Sequence, residues 1–316
     1  MDLLGLIQIL LVGLGSAAAI LTLWTYRQVR RPKRWTYATA VARNEPGDPS
    51  ELDAPRQFVT WSFRDPASRA ALPVWDIAGD APDGPVAILT PGWSESSVSA
   101  LSRVGAIAPM CSRVVVWDPP GEGEAAGSCS MGAREPVALA ALVERIVADA
   151  PEARIAHFGW SMGAGISIAA AAGARASQHT LCVIAEAPFR SPFTPVKNVA
   201  IQWGLPHWPN VPVAVGLLGL RLGQGARWRN YDRAAWARRL SCPLLVMHGD
   251  ADDICPHADG ADIANAARRG LLLTIAGAGH ANIWTEPAFA KQATAAVRDF
   301  LRASALQSSK VVVAQG

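Results

Sequence analysis

The chain has 316 residues, 50% of them hydrophobic, and carries 29 Lys and Arg against 26 Asp and Glu. Such a length and composition bury a sizeable core and exclude a disordered chain. The net charge of +3 is spread along the sequence except near the N-terminus, which excludes the basic stripe of a nucleic-acid-binding surface.

The first predicted element is Leu3 to Trp24, LLGLIQILLVGLGSAAAILTLW, an uncharged run of 22 residues that is long enough as a helix to span a bilayer. A cleaved leader asks for a basic start and a shorter apolar core, whereas Asp2 precedes this run, although Ala17 and Ala19 mimic a cleavage site. Arg27, Arg30, Arg31, Lys33 and Arg34 follow it and no basic residue precedes it, which by the positive-inside rule leaves the rest of the chain in the cytoplasm. Residues 1–34 therefore read as a membrane anchor with a basic flank, 35–55 as a linker, 56–304 as the folded domain and 305–316 as a tail.

From residue 56 onward, apolar runs of strand length alternate with helical segments, the pattern of an α/β domain. RQFVTWSF (56–63) and LPVWDI (72–77) read as an antiparallel opening pair. VAILT (86–90), RVVVW (113–117), RIAHFG (154–159), TLCVIAEA (180–187), CPLLVMHG (242–249) and LLLTIAG (271–277) are continuous apolar runs, as buried parallel strands require. Helices are predicted near 97–108, 136–148, 162–174, 233–240, 257–269 and 287–303. Residues 188–232, rich in Pro and Trp, interrupt the alternation and read as a lid insertion over a site. The five cysteines, Cys111, Cys129, Cys182, Cys242 and Cys255, are odd in number and lack metal-ligand spacing, so they read as buried thiols with no metal site.

HFGWSMGAG (157–165) places Ser161 between Gly159 and Gly163, after a predicted strand and before a predicted helix. That is the context of a nucleophile elbow: the glycines remove side chains where a strained turn crowds the backbone, and Gly165 is expected to let the helix approach the sheet. A serine hydroxyl needs a base, and the base a carboxylate to orient it. His280, in AGAGHANIW after the last strand, is the base candidate. The acid lies among Asp250, Asp252 and Asp253 in MHGDADDICP, where the residues themselves do not choose.

Four blocks, TPGWSESS (90–97), WDPPGEGEAAG (117–127), GWSMG (159–163) and the pair HGDADDICP with GAGHANIW, resemble the α/β-hydrolase superfamily, nearest its esterase-like, aminopeptidase-like and dipeptidyl-peptidase-like branches. The resemblance covers most of 56–304 and implies a mostly parallel twisted sheet with helices on both faces. It assigns Ser161 as nucleophile, His280 as base and Asp252, four residues after His248, as the acid. It also implies an oxyanion hole from the backbone N–H groups of Trp93 and Met162. Two blocks depart from the family pattern. Pro91-Gly92-Trp93 stands where the family has His-Gly, a loss that spares the amides which stabilise an oxyanion. Asp118-Pro119-Pro120-Gly121-Glu122-Gly123 lacks the family's arginine, and its glycines do not have dinucleotide spacing.

The expectation is a membrane-anchored serine hydrolase with no cofactor, cleaving an ester, thioester or amide of a small-molecule or lipid-like acyl substrate. Trp203 and Trp208 in the lid and Glu186 at the end of a strand are candidate substrate contacts, Glu186 for an amine if the enzyme is an aminopeptidase or peptidase. Acyl transfer by the same residues, and a silent binding protein on the same fold, are the competing readings.

Overall fold

The computed structural model describes residues 2–313. Helix α1 (Leu3–Arg30) opens the chain, with Asp2 capping its N-terminus by accepting a hydrogen bond from the Gly5 amide at 2.9 Å. It is long and apolar enough to cross a membrane, and none of its most apolar window is buried. Only a stripe at Thr22, Thr25 and Val29, spaced three and four residues apart, is covered by the rest of the molecule. The segment expected as a linker holds the short helix α2 (Tyr37–Val41), whose Ala40 is buried.

The core is one eight-stranded sheet in the order β1-β2-β4-β3-β5-β6-β7-β8. β1 (Phe58–Arg64) and β2 (Ala71–Ala78) form the expected antiparallel pair, and β2 runs antiparallel to β4 (Arg113–Trp117). From β3 (Val86–Thr90) onward, β4, β5 (Ile155–Trp160), β6 (Thr180–Glu186), β7 (Leu244–Gly249) and β8 (Gly270–Ile275) are parallel. Every residue of β3, β5, β6 and β7 is buried, because helices cover both faces. Those helices are α3 (Leu101–Ile107), α4 (Glu135–Asp149), α5 (Met162–Ala171), α6 (Ala174–Ser177), α9 (Arg233–Ala237), α10 (His257–Ala266) and α11 (Pro287–Val313). Helix α11 runs ten residues past its expected end at 303, so most of the expected tail is helical, and its last three residues lie outside the described residues.

The insertion at 188–232 forms α7 (Phe193–Gln202) and α8 (Asn210–Arg221). Pro195 and Pro212 stand in the first turns, where a missing N–H costs no helical hydrogen bond. Helix α8 packs along α1, burying Val211, Val215 and Leu218, while Asn210 Nδ2 donates to Thr25 Oγ1 at 3.1 Å. The helix expected as a membrane anchor, apart from the domain, is thus docked on the insertion.

Because β3 pairs with β4 on one side and β5 on the other, the chain reverses its direction of travel across the sheet there. The crevice beyond the C-terminal ends of such strands is where open α/β sheets hold ligands. The loop after β3 and the turn after β5 meet at that point.

Candidate active site

The turn after β5 is tight enough to force Ser161 to φ +53°, a conformation costly for any residue with a Cβ. Its flanking glycines are required by contact: a Cβ on Gly159 would stand 2.1 Å from Gly163 O, and one on Gly163 2.0 Å from Thr90 O. Gly165 serves differently from expectation, making room for the Arg233 side chain of α9 rather than for the sheet.

Ser161 Oγ lies 3.0 Å from His280 Nε2, and His280 Nδ1 lies 2.8 Å from Asp252 Oδ2. The three side chains come from the ends of β5, β7 and β8, and the structure brings them into one continuous chain of hydrogen bonds. Asp252 is selected over its neighbours by position. Its buried Oδ1 accepts the amides of Ile254 and Cys255 at 2.9 and 2.8 Å. Asp250 instead accepts the Gly277 amide, and Asp253 accepts Gln202 Nε2 at the cavity rim.

Burial pushes the Asp252 carboxyl up, but hydrogen bonds from His248 and His280 outweigh it and hold the group well below the usual carboxylate range. For His280, burial opposes protonation; interaction with the Cys255 thiol and the hydrogen bond to Asp252 overcome it and raise the imidazole pKa well above its ordinary value. An ionised Asp252 fixes the proton on Nδ1 and leaves Nε2 free to accept from Ser161.

The loop after β3 lies across the crevice, with Gly92 so close that an added Cβ would be 3.3 Å from Ser161 Cβ. Gly92 N donates to Glu95 Oε2 at 3.0 Å and Ser94 N to Glu122 Oε2 at 3.0 Å, so both neighbours of Trp93 are tied down. The Trp93 backbone N–H makes no hydrogen bond among the described residues. Met162, the first residue of α5, likewise presents an N–H that the helix itself does not use. Two amides beside an imidazole-bonded serine are suited to receive a developing oxyanion.

A cavity of about 390 Å³ opens above Ser161 and His280. Trp24, Val29, Phe189, Val196, Trp203 and Leu205 supply much of its apolar wall, two of them from α1. Of the candidate substrate contacts, Trp203 lines this cavity, whereas Trp208 is 74% exposed and does not line it. Glu186 is a correction. It is buried outside the cavity, where Oε2 and Oε1 accept Arg103 at 3.0 and 2.6 Å and Oε2 also accepts Trp284 Nε1 at 2.7 Å, so it is paired and closed off from a substrate amine.

Sequence reasoning passed over His248, whose buried Nε2 donates to Cys255 O at 3.0 Å and lies 3.2 Å from Asp252 Oδ2. It also passed over Glu95 and Glu122. Glu122 acts on Ser94 from a distant part of the chain, and His248 and Glu95, although they bond residues close in sequence, belong to no spacing pattern that marks a loop-holding side chain. The donor atoms of Asp252, Cys255 and His280 lie within 4.8 Å of one another, but the hydrogen bonds already made to Asp252 leave it little capacity to bind a metal ion.

A model of the prolyl oligopeptidase family matches residues 137–307. No curated protein matches the chain significantly. Among solved structures, an esterase of Pyrococcus furiosus is 17% identical, with a TM-score of 0.63 over 86% of this chain and 98% of its own. A thermophilic esterase from Thermogutta terrifontis is 20% identical, with a TM-score of 0.56 over 78% of this chain and 99% of its own. A bacterial membrane phospholipase A is 17% identical, with a TM-score of 0.56 over 95% of this chain and 98% of its own. The shared architecture is the α/β-hydrolase fold.

Proposed function

The chain belongs to the prolyl oligopeptidase family of α/β-hydrolases, and from that premise we propose that this serine hydrolase is membrane-anchored and cleaves lipophilic carboxylic esters through an acyl-enzyme on Ser161. The observation that carries the reading is the hydrogen-bonded chain from Ser161 Oγ through His280 to buried Asp252. Ser161 Oγ attacks the ester carbonyl as His280 Nε2 takes its proton. The oxyanion is received by the Trp93 and Met162 amides, and Asp252 stabilises the imidazolium. Collapse expels the alcohol, protonated by His280, and water then releases the acid by the same steps in reverse order.

The apolar cavity wall suits an acyl chain, and the part played by α1 in that wall supports retention of the helix as an anchor rather than its removal as a leader. Likeness to a membrane phospholipase A over nearly the whole chain adds acyl lipids to the substrate class. The basic cluster after α1 supports a cytoplasmic position of the domain by the positive-inside rule. A peptide amide is the second reading, favoured by the family and by Asp253, a carboxylate at the cavity rim able to hold an amine. Turnover of p-nitrophenyl esters of increasing chain length against aminoacyl p-nitroanilides, by the full chain in detergent, separates the two. Esters turned over faster support the proposal, and preferred cleavage of the anilides overturns it.

A further inference from the structure

A helix ends with carbonyls that have no intrahelical partner. In α1 two of those groups are taken up by the hydrolase domain. Val29 O accepts the Trp93 indole N–H at 3.1 Å, and Arg30 O accepts the Cys129 amide at 2.9 Å. Just beyond the helix, Lys33 O accepts Ser94 Oγ at 2.5 Å. Two of these three bonds end on the loop that offers the Trp93 amide to the site. The rings of Trp24 and Trp203 (6.0 Å between centroids) and of Trp93 and Trp203 (6.2 Å) extend the link through the lid.

We infer that the last turn of α1 is a positioning element for the oxyanion loop, so that turnover depends on where the membrane helix sits against the domain. The loop needs such support. Ser94 holds φ +67°, a strained backbone for a serine, and the bonds to the Glu95 and Glu122 carboxylates fix only the amides of Gly92 and Ser94. The carbonyls of Val29 and Lys33 add a hold on the Trp93 indole and the Ser94 hydroxyl. An oxyanion donor displaced by a fraction of an ångström loses much of its effect, because its strength rests on being fixed before charge develops. The inference rests on the serine-hydrolase reading and adds that the anchor belongs to the active site.

The test uses the full chain in lipid nanodiscs with p-nitrophenyl acetate, a soluble ester that does not draw on the bilayer. Turnover is expressed per site titrated by a fluorophosphonate. Trp93→Phe removes the indole donor and keeps the amide and most of the ring; Ser94→Ala removes the hydroxyl donor. Since deleting an oxyanion donor costs about a hundredfold or more, a misplaced one is expected to lower kcat by about tenfold in Trp93→Phe and about threefold in Ser94→Ala. The acid limb of the pH profile should stay put, because His280 and Asp252 are untouched. One glycine inserted between Arg31 and Pro32, which moves Lys33 O, should reproduce the Ser94→Ala loss and add nothing to it. Variants that keep kcat per titrated site within about twofold of wild type overturn the inference, as does activity lost only as fewer titratable sites. If Trp93→Phe fails to fold, Ser94→Ala and the insertion decide. A wild-type chain that neither titrates nor turns over the ester overturns the serine-hydrolase reading itself.

Discussion

Replacing Asp252 by Asn changes one atom's chemistry and should nearly abolish catalysis. In the native site Oδ1 holds the Ile254 and Cys255 amides while Oδ2 receives His280 Nδ1–H. An asparagine keeps its oxygen toward the two amides, which only an acceptor satisfies, and so turns its NH2 toward His280. The imidazole must then accept at Nδ1 and carry its proton on Nε2, pointing at the serine it should deprotonate. A wrong tautomer of this kind costs about ten-thousandfold in kcat, or about 5 kcal/mol of transition-state stabilisation. Asp250→Asn and Asp253→Asn, whose carboxylates accept Gly277 N and Gln202 Nε2, should each lose less than about tenfold. The assay is ester turnover per titrated site for all three variants. Equal losses, or a loss below about tenfold in Asp252→Asn, would refute the orienting role assigned to Asp252.

The raised pKa of His280 sets a pH dependence. The base must be neutral to accept the serine proton, so kcat/KM should rise with pH along an acid limb whose midpoint lies above the ordinary imidazole value of about 6.5; a midpoint below it contradicts the electrostatics. Deleting residues 1–34 removes six hydrogen bonds to the domain and uncovers the buried face of α8. At about 1 kcal/mol each, these approach the whole stability of a typical domain, and the Tm in detergent should fall by more than about 10 °C; an unchanged Tm would mean that α1 is only a tether. Arg103→Met strands the buried Glu186 carboxylate and should cost about 3–5 kcal/mol by denaturant unfolding, with much of it recovered in Arg103→Met/Glu186→Leu. A single variant as stable as wild type would show that the pair is not a buried ion pair.

The strands inside the sheet were legible, because continuous runs such as Val114 to Trp117 and Leu244 to Met247 report complete burial, whereas β8, expected as buried from its run of leucines, lies at the sheet edge and leaves Leu271 and Leu272 exposed. The turn at Ser161 was legible through its glycines, of which Gly159 is demanded by Gly163 within the same turn and Gly163 by the backbone of Thr90 at the end of β3. The lid helices were not, because Pro195, Pro209 and Pro212 read as breaks unless each is known to fall at a helix start. Glu186 was misread because its partner Arg103 lies 83 residues earlier and no periodicity connects them. The docking of α1 was hidden in the same way. Its apolar side chains announce a bilayer, whereas the contacts that tie it to the site are made by backbone carbonyls, which every residue has.

The most direct test of the central claim is to treat the full-length protein with a fluorophosphonate and locate the adduct by peptide mass, beside Ser161→Ala. One adduct is expected, on Ser161, formed by the wild type and absent from the variant. A folded wild type that forms no adduct, or a Ser161→Ala chain that labels equally well, would contradict it.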